Sequence, residues 1–228
     1  MVKLVINKGH GGNDSGAVGN GLMEKVLTKK IGDLIINKLK KYEIEVKSIQ
    51  QKGNQSLTHV TNEANNWGAD YFISIHINAG GGTGFESFIY NGNVSRETFD
   101  FRESVHNEIM KSVKDYNVRD RGKKRANLHV LRETKMVAML SENMFIDTKK
   151  DSDLLKNEKF LDKIAQGHVN GIVKYLSLKK KKTEYSDNYT YYRVVVGSYK
   201  NRKNAENQQK KLKEKGFDSF LVAYKNRR

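Results

Sequence analysis

The chain contains no cysteine and no proline. Without thiols no disulfide can staple it, and neither a thiolate metal site nor a cysteine nucleophile is available. Any metal must be held by histidines and carboxylates, which suits zinc in an open, catalytic geometry. Without proline, turns fall to Gly, Asn and Asp. Tryptophan occurs once, at Trp67, and its place at a helix end reads as packing rather than ligand contact. No apolar stretch approaches the ~20 residues of a membrane span. The N-terminus enters a strand directly, without the pattern of a secretory leader. The expectation is a protein made in the cytoplasm, without membrane insertion. Acidic residues are in deficit: 42 Lys and Arg stand against 26 Asp and Glu, a formal charge of +16. From Lys179 onward fifteen basic residues outnumber five acidic ones, so +10 sits in the last fifty positions. Such a tail either forms a solvated surface or meets an acidic polymer: nucleic acid, anionic membrane or anionic cell-wall material.

What is present begins with a short apolar run, Val2 to Ile6, read as a strand. It runs into Gly9-His10-Gly11-Gly12, a glycine-rich loop that lets other groups approach closely. Alone such a loop says little. A second apolar strand, Asp70 to Ala79, ends in His76 and Asn78 and then Gly80-Gly81-Gly82. Functional groups of open α/β sheets collect beyond strand C-termini. Two histidines in the same setting favour a shared metal site over two unrelated structural residues. Glu142 follows a third apolar strand, Met136 to Leu140, and a carboxylate there is costly unless paired, hydrogen-bonded or functional. Glu24 opens a helix, where a carboxylate also favours the helix dipole, and on local grounds that structural reading suffices.

The remaining pattern alternates strands and helices. Helices are predicted from Glu24 to about Tyr42, Ser56 to Trp67, Thr98 to about Tyr116 and Phe160 to Leu178, the first and last on a 3.6-residue apolar stripe and the second closed by Gly68. Strands are predicted at Ile44 to Ile49, Gly84 to Tyr90 and Leu128 to Leu131. Residues 118–127 read as a basic loop. His168 lies on an apolar stripe and reads as a satisfied core histidine; His59 and His106 read as surface residues, and His129 as either a structural residue or a cleft residue. A charged linker then leads to Thr190 to Val196 (strand), Lys203 to Lys215 (helix) and Ser219 to Tyr224 (strand). The fold class expected is α/β: a twisted mixed sheet in three layers, with a small β-α-β C-terminal unit. The divisions expected are 1–176, 177–189 and 190–228.

Residues 1–176 resemble the zinc-dependent N-acetylmuramoyl-L-alanine amidases of the amidase-3 type. The resemblance rests on Gly9 to Gly12 followed by Asp14 to Ala17, on Gly21-Leu22-Met23-Glu24, on Ser74 to Ala79, and on Leu140 to Phe145, in that order. Trp67 to Phe72, Gly80 to Phe85 and Arg119 to Lys124 are similar to sporulation mother-cell-lysis amidases and related phage endolysins. Tyr192 to Tyr199, Asn204-Ala205-Glu206 and Lys215-Gly216-Phe217 resemble half of a sporulation-related repeat, a module that binds glycan strands. Where the family has Asp-Pro, this chain has Asn7-Lys8; it also has Val60 for an Arg, Val137 for a Pro and Met144 for a Gly.

The resemblance implies Zn²⁺ on His10, Glu24 and His76, with Glu142 as the catalytic base. It implies hydrolysis of the bond between N-acetylmuramic acid and L-alanine in peptidoglycan, with Asn78, Arg132 and the basic loop 119–125 as substrate contacts. The substrate polymer is then the partner of the basic tail, and action on the wall follows membrane failure or permeabilisation. Two rivals remain at this level: a zinc peptidase cutting within the stem peptide, and a basic non-catalytic binding protein. The strand Tyr191 to Gly197 lacks the aromatic pattern of an RNA-binding sheet, which argues against nucleic acid. A unit of about forty residues without a staple buries little core, so residues 190–228 are expected either to pair as a homodimer, the favoured reading, or to dock on the chain's own catalytic domain.

Overall fold

The computed structural model describes residues 1–181 and 194–223. The chain divides into two compact units, Met1–Lys182 and Thr183–Arg228. The first is built on a six-stranded sheet in the order β4-β1-β5-β8-β6-β7. Its strands are β1 (Lys3–Gly11), β4 (Glu45–Gln51), β5 (Tyr71–Asn78), β6 (Phe85–Tyr90), β7 (Asp120–Ala126) and β8 (Val137–Phe145). β4, β1, β5 and β8 run parallel; β6 turns antiparallel to β8, and β7 follows β6 in parallel. A small hairpin, β2 (Val18–Gly19) with β3 (Leu22–Met23), precedes the first helix.

Parallel strands need cover on both faces, and their sequences read as near-continuous apolar runs. Leu4, Val5, Ile6, Phe72, Ile73 and Ile75 are fully buried for that reason. One face is covered by α1 (Glu24–Leu39), α3 (Arg96–Ser112) and α6 (Glu158–Tyr175), whose apolar stripes pack on Leu4, Ile6, Ile73 and Ile75. The other is covered by α2 (Leu57–Trp67) and α4 (His129–Arg132), which pack on Val5, Phe72, Ala138 and Leu140. The three-layer expectation therefore holds. Because α1 and α2 cross on opposite faces, the strand order reverses between β1 and β5. Ligand sites of open α/β sheets sit at that reversal, beyond the strand C-termini.

Several sequence expectations are corrected. The basic stretch predicted as loop is β7; its charged side chains mark an edge strand, where they discourage further pairing. Leu128 to Leu131 is not a strand: Leu128 is the N-cap of α4 and the other three lie within it. The strand predicted to stop at Leu140 continues to Phe145, so Glu142 lies within β8. A short helix, α5 (Lys149–Leu155), follows it. His106 is fully buried rather than on the surface: its Nδ1 lies 2.8 Å from the Ser87 hydroxyl and its Nε2 3.0 Å from Asp120. The three resemble a hydrolase triad, but Ser87 is completely buried under α3 and ties β6 to that helix through His106. His168 is a satisfied core histidine, bonded to the Ile164 carbonyl and to Ser141, and burial depresses it to about 4.

In the second unit α7 (Arg202–Glu214) forms, capped by Asn201, which accepts from the Lys203 N–H. The flanking strands do not form among the described residues 194–196 and 219–223. Residues 190–193 and Tyr224, which the predicted strands include, lie outside the described residues. The local pattern is extended, but a strand persists only where a neighbour takes its N–H and C=O groups. The helix buries none of its residues, leaving Val194, Val195, Phe220 and Val222 exposed.

Candidate metal and catalytic centre

On the α2 face, β5 presents Phe72, Ser74, His76 and Asn78 in alternation, apolar first and polar at its end. Ser74 donates to Asn7 Oδ1 at 2.6 Å, so Asn7 stands as a buried hydrogen-bonded residue in β1. Beyond this ladder three side chains converge. His10 ends β1 in a left-handed conformation, φ 60. Its Nε2 lies 3.2 Å from Glu24 Oε2, and its Nδ1 lies 2.8 Å from Asp14 Oδ2. Asp14 holds the proton on Nδ1, so when the ring loses its second proton it is Nε2 that presents a lone pair to the cluster. Glu24, buried at the start of α1, places Oε1 3.0 Å from His76 Nδ1 and accepts the Ile77 N–H at 3.0 Å. Its Oε2 accepts the Ala17 N–H at 2.9 Å.

Donor atoms of His10, Glu24 and His76 all lie within 4.8 Å of one another. Two ligands of a tetrahedral zinc, each about 2.1 Å from the ion, lie roughly 3.4 Å apart. The observed 3.2 and 3.0 Å separations fit that spacing. Close approach needs the glycines. A Cβ on Gly9 would stand 2.5 Å from the His76 ring, and one on Gly16 2.6 Å from Glu24 Oε2. In this arrangement hydrogen bonding to Glu24 pushes His10 up to about 9, against burial and with help from Asp14. Burial alone would raise Glu24; the His10 and His76 hydrogen bonds overcome it and hold the carboxylate well below its usual range.

Glu142 lies across the β5–β8 ladder from His76 and across the β6–β8 ladder from Glu86. Its Oε2 is buried with no hydrogen-bond partner among the described residues. Burial first, then the charges of Glu24 and Glu86, push its carboxyl up to about 8. An orphaned, proton-avid carboxylate beside a ligand cluster is equipped to exchange protons with a guest molecule. Glu86 is anchored by Arg121 at 2.7 Å and Lys124 at 2.5 Å. Burial works against its charge; those two cations prevail and keep its pKa below the usual value.

The substrate contacts expected from sequence fare differently. Asn78 borders the cluster, but its Nδ2 donates to Glu86 at 2.7 Å and its Oδ1 accepts from Ala79 N–H. The structure does not bring Arg132 to the centre. It lines a cleft with Met1, Asp70 and Val137, at the strand N-termini, and bonds Glu133 and Asn127. Within the basic segment, Arg121 and Lys124 are committed to Glu86. Asp14 and Glu86 were missed as functional residues. The four-residue spacing of His10 and Asp14 was a usable signal; nothing local marks Glu86.

Met144 explains one departure from the family pattern. It adopts φ 76, where the β5–β8 register shifts between His76 and Asn78. A residue without Cβ takes that conformation freely. Here the side chain is buried in the main core, which offsets the strain.

Residues 4–174 match the family model described as N-acetylmuramoyl-L-alanine amidase, and residues 158–223 match one described as SPOR domain. The chain is 44% identical over 226 residues to the sporulation-specific N-acetylmuramoyl-L-alanine amidase of Bacillus subtilis, covering 97% of this chain and 85% of that protein. It is also 44% identical over 186 residues to the endolysin of Bacillus phage SPP1, covering 79% of this chain and 69% of that protein. Its fold superposes on the crystal structure of an N-acetylmuramoyl-L-alanine amidase from Clostridium difficile 630 with a TM-score of 0.72 at 35% identity, over 77% of this chain and 97% of the other.

Proposed function

This chain belongs to the N-acetylmuramoyl-L-alanine amidase family, and on that premise we propose that His10, Glu24 and His76 hold a zinc ion and Glu142 is the general base. The protein hydrolyses the amide between the lactyl group of N-acetylmuramic acid and L-alanine in the cell wall, as an autolysin or endolysin. The convergence of three donor atoms within 4.8 Å carries the metal assignment. When bound, the ion polarises the scissile carbonyl and lowers the pKa of water toward about 7. Glu142 takes a proton from the water that adds to the carbonyl carbon. As the C–N bond breaks, it hands that proton to the departing nitrogen. The products are a lactyl carboxylic acid and the free amine of L-alanine, balanced by one water. Asp14 orients His10 throughout, and Glu86 holds the end of β5 through Asn78.

Digestion of purified cell wall tests this reading. New L-alanine N-termini are expected, and a chelator abolishes their release. New amines from positions inside the stem peptide identify a peptidase instead and overturn the assignment.

The tail supplies attachment. Its match to the SPOR model and its +10 charge support binding to glycan strands in an anionic wall. Charge attraction of this kind fades beyond a Debye length of roughly 8 Å at physiological salt. The exposed Val194, Val195, Phe220 and Val222 are covered by the same unit of a second copy, making a homodimer through residues 190–228. A chain truncated after Leu178 is expected to cleave soluble fragments, to co-sediment less with intact wall at low salt, and to run as a monomer where the full chain is dimeric at sedimentation equilibrium. Equal wall binding by both chains at low and high salt overturns the attachment role; a full-length monomer overturns the dimer.

A further inference from the structure

The outer face of α2 carries His59, Asn62, Glu63 and Asn66, at positions i, i+3, i+4 and i+7 of one helical stripe. Val60, Thr61 and Ala64 take the inner face. Beside the stripe, Lys47 projects from β4, the edge strand of the sheet, and Trp67 closes the helix. These six residues line a cleft of about 470 Å³, within the range of small-molecule sites. Trp67 is half-buried: part of it packs on the second core, and part faces the cleft. Lys47 Nζ stands 5.7 Å from its ring centroid and 3.2 Å from Glu63. None of the six belongs to the metal centre.

A half-buried indole, two exposed primary amides and a Lys–Glu pair form the donor set that an N-acetylated sugar takes. The apolar face of a pyranose packs on the indole. The amides of Asn62 and Asn66 exchange hydrogen bonds with acetamido and hydroxyl groups. Lys47 and Glu63 supply one donor and one acceptor for further hydroxyls. A peptide would instead exploit the main chain of the β4 edge. We infer that this cleft is a second glycan subsite of the catalytic unit, gripping N-acetylated sugars of the polymer away from the scissile bond. The polymeric substrate motivates the choice of sugar, but the site is independent of the roles given to zinc and Glu142.

Trp67 is the only tryptophan of the chain, so tryptophan emission comes from this one residue, which lines the cleft. Titration of the full-length protein with an N-acetylglucosamine tetramer is expected to change Trp67 emission saturably and to shield it from acrylamide. Replacing both Asn62 and Asn66 with Ala is expected to raise the midpoint by about tenfold, the combined effect of two lost hydrogen bonds. Both positions are exposed on a helix, where Ala is well tolerated, and hydrolysis of a soluble muramyl peptide stays unchanged. Emission that does not respond to millimolar sugar overturns the inference. So does an unchanged midpoint in the doubly substituted protein, or a response to free stem peptide in place of sugar.

Discussion

Glu142→Gln is expected to lower amide hydrolysis by about 10²–10⁴-fold, the range of a general base, while the protein keeps one equivalent of zinc. The side chain lies across the ladder from His76 but is absent from the three-residue donor cluster. Gln matches Glu in shape and cannot accept a proton, so it removes the proton transfer and little else. The same substitution acts on stability. In the metal-free protein the Glu142 carboxyl rises from 4.5 to about 8 through burial and the charges of Glu24 and Glu86. A folded value above the unfolded one gives a contribution that is present below 4.5 and lost as the pH rises through about 8. Gln never ionises and keeps that contribution. Chelated Glu142→Gln is therefore expected to melt above the chelated native protein at about pH 9, with the gap closing at about pH 5. Near-native turnover in a zinc-loaded variant would remove Glu142 from the mechanism. Equal melting at both pH values would show that its charge costs nothing where it lies.

The halves of the centre differed in how far sequence revealed them. His10 and His76 each end an apolar strand beside glycines, a pattern that places both at one sheet end before any fold is known. Glu24 carries no such mark, because a carboxylate in a first helical turn has a sufficient local reason to be there. Only the packing of α1 against β1 and β5 turns it toward two histidines. Arg132 is next to the basic segment in sequence, but the intervening α4 carries it to the strand N-termini; adjacency says nothing about which end of a sheet a residue reaches. Among the described residues 194–196 and 219–223 the tail strands do not form, for another reason. Their alternation is real, yet β structure depends on partners, and one helix with Ala205 and Leu212 as its apolar residues supplies little cover. His106 follows Val105 on the stripe of α3, and its burial needed the Ser87 and Asp120 partners that only the strand pairing brings near. Met144 shows the converse: a family glycine replaced by a large residue is legible only once φ 76 is seen.

His10→Ala and His76→Ala are each expected to abolish metal binding and activity together. Each removes one of three protein ligands, and no fourth His, Asp or Glu joins the cluster among the described residues. Asp14→Asn tests the layer outside. Asn still accepts the Nδ1–H but without charge, and losses of such outer partners cost about 10–100-fold in metal affinity or activity. The order expected is therefore severe loss for either histidine and a graded loss for Asp14. Proton release gives an independent check. In the metal-free protein His10 rises from 6.5 to about 9, first through its hydrogen bond with Glu24. Its stabilising contribution is present below 6.5 and is lost as the pH rises through about 9. Metal needs the neutral ring, so zinc uptake at neutral pH must expel that proton, and affinity climbs with pH until about 9. Calorimetric zinc titrations in buffers of different ionisation heat read the released proton directly. Uptake without proton release would mean that His10 is already neutral. Native metal content in His10→Ala or His76→Ala would overturn the ligand assignment, and a chelator-stripped protein that kept full activity would overturn the zinc mechanism with it.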